Sequence, residues 1–207
     1  MTTADHQTKL AQFDEFFSIN YPFTINASVI DLAQLPNYQQ FIENMPAPFK
    51  IAAEVNTADE NALRALQAVT GVASHLMDYL KHQAKKMELL VGYILSQEND
   101  ASTRFQAIKF GGGGIIFKTT VPDFFNTGDF IELKLFFADE NTALYCLGEI
   151  VSSEMVDSES QYKVIFHHIR EEDQEALVRH SLHQQSKQLQ ALAQQRNQAK
   201  NTSASMP

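Results

Sequence analysis

The sequence predicts an α+β fold, a small antiparallel β-barrel preceded by a long coiled-coil-type helix and followed by a C-terminal helix. Three observations predict it. Residues 104–169 divide into five short apolar runs separated by turn residues, the pattern of a small barrel. Residues 57–98 repeat apolar side chains every three or four positions, which gives a helix with one apolar stripe. Residues 170–192 return to helix-forming composition behind Glu171, Glu172 and Asp173, acidic residues that suit a helix N-terminus.

The first 56 residues hold aromatic clusters (Phe13, Phe16, Phe17, Tyr21, Phe23) interrupted by Pro22, Pro36, Pro46 and Pro48. The prolines act as punctuation, so 1–56 reads as a segment of short elements that pack on something else. In the long helix, 57–98, Thr57 or Asp59 serves as cap. The stripe runs through Leu66, Val69, Ala73, Leu76, Leu80, Ala84, Met87, Val91 and Ile94. Two consecutive steps of four, at Leu76, Leu80 and Ala84, resemble a stutter. A helix of about 40 residues runs about 60 Å. A compact 100-residue unit has a radius of gyration of only about 13 Å. Much of the stripe therefore projects past the barrel and needs a partner, and self-association as a dimer, trimer or tetramer is expected.

The strands read as RFQAIKF, GIIFKTT, DFIELKLFF, ALYCLGEIVSS and QYKVIFHHI. In the third, Ile131, Leu133, Leu135 and Phe137 form a wholly apolar face, while Glu132 and Lys134 lie on the other. Barrel and closing helix together span 99–192. Beyond Leu192 the chain has almost nothing to bury, so 193–207 reads as a disordered tail.

Composition narrows the function. The formal net charge is −9, which opposes nucleic-acid binding. A single cysteine, Cys146, forms no intrachain disulfide, and in ALYCLGEI it reads as a small buried hydrophobe. The polar start MTTADHQTKLAQF is not a secretory signal, and no run matches a membrane span. A cytoplasmic protein without membrane insertion is the simplest reading. No catalytic constellation appears: there is no G-x-S-x-G elbow, and the acidic pairs fall at a turn and a helix start. His167 and His168 are adjacent in a strand and are expected on opposite faces. His180 and His183 share a helical face, but no Cys, Asp or Glu completes an obvious metal site. The expectation is a non-enzyme with no metal and no cofactor.

Half of the eight glycines stand in one run, Gly111–Gly114. A Walker loop fails because Lys118 lies too far from the last glycine, and a dinucleotide fingerprint fails because IIFKTT reads as strand, not helix. The run is expected to be a turn or bulge joining two strands.

With FGGGGIIF at 110–117, FFNTGDFIELKLFF at 124–137, LGEIVSS at 147–153 and YKVIFHHIREEDQEALVRH at 162–180, the chain resembles a PilZ domain, the bacterial cyclic di-GMP receptor module. The long heptad helix ahead of the barrel resembles the atypical, oligomeric branch of that family. The resemblance implies a signalling role, with pilus, flagellar or surface-motility control as its setting. Cyclic di-GMP binding in the family uses an arginine-x-x-x-arginine motif and a later [DN]-x-[SA]-x-x-G. Here the second falls on Lys109 to Gly114 and keeps only the last glycine. No two of Arg64, Arg104, Arg170, Arg179 and Arg196 are four apart. Lys81 and Lys85 have the spacing, but lysine lacks the planar fork of arginine.

The leading expectation is an adaptor that self-associates and binds a protein partner, with a degenerate ligand site. A second is a divergent cyclic di-GMP receptor using Arg104, Lys109 or Lys118 with exposed amides of Gly111, Gly112, Gly113 and Gly114 as an anion nest. A third is a structural assembly protein with an incidental barrel.

Overall fold

The computed structural model describes residue 13 and residues 18–52, 73–121, 123–140 and 142–203. Six strands form a closed antiparallel barrel in the order β1-β2-β3-β6-β5-β4. They are β1 (Ser18–Ile30), β2 (Arg104–Gly111), β3 (Gly114–Thr119), β4 (Phe130–Phe137), β5 (Thr142–Val156) and β6 (Glu159–His168). The main helices are α1 (Tyr38–Asn44), α2 (Ala73–Gln97) and α3 (Glu171–Ser203).

Five of these strands coincide with the expected runs. The sixth corrects the count: β1 comes from the proline-punctuated N-terminal stretch and closes the barrel by pairing with both β2 and β4. Pro22 does not end this strand, because it sits where the register shifts between Asn20 and Phe23. A proline is tolerated at such an irregularity, where no ladder hydrogen bond needs its missing N–H. Ile19, Phe23, Ile25 and Ala27 of β1 then enter the same core as Ile131, Leu133, Leu135, Val164 and Phe166.

β4 buries alternate residues, as its sequence pattern requires. In β5 every residue from Ala143 to Val151 is buried, so both faces of that strand are covered. The outer cover comes from α1, its C-cap Met45 and the helical residues 47–52: Phe41, Met45, Phe49 and Ala52 cluster with Ala143, Tyr145 and Leu147. α1 starts at a capping box, with Asn37 accepting from the Gln40 backbone and Gln40 from the Asn37 backbone. Such a box satisfies two helix-end amides at once.

α3 packs on the barrel and sends Leu177 into its core. Its first turn is anchored by a buried, two-pronged ion pair between Arg170 and Asp173, with bonds of 2.7 and 3.0 Å. Arg170 also donates to the Phe49 carbonyl. The helix continues past Leu192 to Ser203, where the sequence pattern predicts a disordered tail. Its continuation is polar and rich in Gln and Ala, which supports helix without a buried face.

Candidate functional site

The glycine run forms the tight connection between β2 and β3, with Gly111 paired to Gly114. Space, rather than backbone angle, demands glycine at 114: a Cβ there would lie 2.0 Å from the Val164 carbonyl oxygen. All four glycines are buried. Gln174 of α3 donates to the Gly112 carbonyl at 2.8 Å, and the Phe166 amide donates to Gly113 at 3.1 Å. The turn is therefore roofed by α3 and does not present the exposed amides that the receptor reading requires. A second turn does need glycine for its angle, since Gly128 has φ 96°. There the Gly128 amide donates to the Ile150 carbonyl and the Ile150 amide to the Asp129 carbonyl, which folds the F-x-x-G-D hairpin.

Among the described residues, the basic side chains of the receptor reading do not converge. Arg104 and Lys109 stand at opposite ends of β2, facing Asn26 and Asn20 of β1. Five residue steps along the strand separate them by about 16 Å, too far to share one phosphate. Arg104 is tied to the Asn99 side chain and carbonyl at 2.8 and 3.0 Å. Lys118 is paired with Glu159 at 2.7 Å. Lys85 is paired with Glu88 at 2.7 Å on the surface of α2. Lys109 lines a groove of about 320 Å³ between the start of β1 and α3.

The other candidate surface is α2. Its C-terminal end is clamped to the barrel. Leu95 is 3% exposed and packs with Phe41, Phe49 and Tyr145, and Val91 packs against the same cluster. Lys134 of β4 pairs with Glu98 at 2.8 Å. Buried Asn26 exchanges two hydrogen bonds with the Asp100 backbone. The rest of the helix turns apolar side chains outward: Leu76, Tyr79, Leu80, Met87, Leu90 and Ile94 are all exposed, Leu90 by 60%. At about 100° per residue, these fall on one face. Leu66 and Val69 of the sequence stripe lie outside the described residues, and Ala73 opens the helix. Ala84 is half-buried, on the same side as Val91 and Leu95.

Two histidine expectations change. His167 and His168 do not diverge: their ring centroids are 4.3 Å apart, because the register shifts between Leu147 and Gly148 where β5 meets β6. A bulge of this kind re-aims a side chain. His168 contacts the Pro36 carbonyl at 3.0 Å, and His167 packs edge-on against Phe130. His180 is buried, and the fold brings Asp139 and Glu140 of the β4–β5 connection to it. Nothing in the local spacing announces that meeting across 40 residues. Cys146 is fully buried, and burial pushes its thiol pKa well up, consistent with an inert core residue.

Residues 85–183 match the family model for the PilZ domain, a domain of cyclic di-GMP signalling. The matched stretch, a little under half of the chain, takes in the second half of α2, strands β2–β6 and the start of α3, and β1 closes the barrel from outside it. A tetrameric PilZ-domain protein of Xanthomonas campestris, described as self-assembled via an unusual helical bundle, shares the fold: TM-score 0.56, 14% identity, 87% of this chain and 96% of that one. The Bacillus subtilis inhibitor of motility aligns at TM-score 0.39 and 16% identity over 41% of this chain and 42% of that one. The match thus spans less than half of the Bacillus protein. The PilZ domain of YcgR from Escherichia coli, solved with cyclic di-GMP, aligns at TM-score 0.37 and 11% identity over 45% and 82% of the two chains. No curated protein matches the chain. Among the described residues, no helix is long and apolar enough to cross a membrane.

Proposed function

We propose that this protein is a non-catalytic, cytoplasmic PilZ adaptor that self-associates through α2 and presents its barrel to a protein partner. The observation that carries the reading is the outward apolar face of α2. Leu76, Leu80, Met87, Leu90 and Ile94 lie in water in the single chain, while Val91 and Leu95 serve the barrel. Together with Gln83, the outward residues follow each other at steps of four and three, the spacing of a coiled-coil seam. The tetramer of the Xanthomonas protein supports a helical bundle here. The clamp at Glu98, Asp100 and Asn26 fixes the barrels relative to such a bundle.

The ligand site is read as degenerate. In support, Arg104 and Lys109 occupy opposite ends of β2, Lys118 is already paired, and the glycine turn is roofed by α3. The test is a double substitution, Leu80→Glu with Leu90→Glu, followed by light scattering. The reading expects a folded monomer from an oligomeric parent, and an unchanged mass would overturn it. Calorimetry with cyclic di-GMP is expected to give no heat up to about 100 µM, the affinity range of roughly −5.5 kcal/mol.

A further inference from the structure

We propose that Asp139, Glu140 and His180 form a binding site for a divalent first-row transition ion of the Zn²⁺ class, joining α3 to the β4–β5 connection. The site starts from an unusual histidine. His180 is 5% exposed, boxed by the rings of Tyr21, Phe110 and Phe137 at centroid distances of 5.4, 5.2 and 4.8 Å. Nε2 has no hydrogen-bond partner among the described residues, while Nδ1 meets the Glu140 carboxylate as an ion pair. Buried polar atoms are almost always satisfied, and leaving one unpaired among apolar groups is costly.

One ligand atom from each of the three residues lies within 4.8 Å of the others. Bonds of about 2.0–2.2 Å in a tetrahedral set place ligand atoms about 3.4 Å apart. Glu140 is exposed, so its side chain has the freedom to make that adjustment, and its surface position gives an ion a way in. Asp139 is held in place. Gln184 donates to it at 2.8 Å, and the Tyr21 hydroxyl also bonds it. Outer hydrogen bonds of this kind orient ligating carboxylates. An imidazole beside two carboxylates suits zinc or its neighbours better than calcium or magnesium, which prefer oxygen alone. Three protein ligands leave a position for water. An ion there would pin α3 across the mouth of the barrel.

The test uses the full chain stripped with chelator and titrated with zinc chloride by calorimetry, with thermal unfolding in parallel. The site predicts one equivalent bound per chain at micromolar affinity or tighter, and a rise in melting temperature. Glu140→Gln, which keeps a side-chain acceptor beside His180, weakens binding at least tenfold. Asp139→Asn does the same, while His183→Gln leaves it unchanged. His180→Gln abolishes binding if circular dichroism shows it folded, and Glu140→Gln decides the matter if it is not. No binding by the parent, or binding indifferent to Glu140→Gln and Asp139→Asn, overturns the proposal.

Discussion

The barrel and α2 spend similar side chains in opposite ways. In β4, Ile131, Leu133 and Leu135 are fully enclosed. In α2, Leu76, Met87, Leu90 and Ile94 face water. Enclosing a Leu, Ile or Met contributes about 1.5–3 kcal/mol, so the barrel is complete within one chain and α2 is not. The contrast separates residues that make the fold from residues that make the assembly, and single substitutions of the same kind should give different readouts in the two regions.

The largest effect is expected inside the barrel. Gly114→Ala would place a methyl group 2.0 Å from the Val164 carbonyl oxygen. The obstructing atom belongs to the backbone of the paired strand and cannot swing aside, so a loss of several kcal/mol is expected, seen as insoluble protein or a collapsed urea midpoint. Leu133→Ala, with no exposed surface to begin with, should cost about 2–5 kcal/mol without changing the mass of the folded species. Leu90→Ala should invert this pattern: urea unfolding of the barrel unchanged, but weaker association on dilution. A cost at Leu90 matching that at Leu133, with no change in mass, would break the comparison.

A finer test is Gln83→Leu. Gln83 stands between Leu80 and Met87 on the outward face, and a polar residue at one seam position fixes register and oligomer number at a cost in stability. The substitution should tighten association and shift or mix the oligomer number in native mass spectrometry.

What the sequence made legible follows the same division. The alternation in FIELKLFF and the apolar run of ALYCLGEI show inside and outside directly, because strand period and burial coincide. β1 was hidden by Pro22, whose usual meaning is a break, and only the register shift it occupies makes it compatible with a strand. The bulge that brings His167 beside His168 has no local signature. In α2, two overlapping stripes exist. Spacing alone puts Ala84 and Val91 in the seam, but the barrel takes Val91 and Leu95, and this leaves Leu90 outward. Which stripe is free depends on contacts with Phe41, Phe49 and Tyr145, all distant in sequence. The meeting of His180 with Asp139 and Glu140 is of the same long-range kind.

The smallest effect concerns Tyr21, at the junction of β1 with α3. Burial, and then its bond to Asp139, push its phenol pKa from 10.0 up to about 12. A raised folded value means that this contribution to stability is intact below pH 10 and is lost as pH rises through about 12. Tyr21→Phe should therefore flatten the alkaline limb of urea stability between those values and leave the association of α2 untouched.

Sedimentation equilibrium of the unmodified chain at micromolar concentration tests the central claim most directly. The account predicts a single species of two to four chains that dissociates on dilution. A monomer across the whole concentration range would contradict it, and would leave the outward face of α2 without the partner assigned to it here.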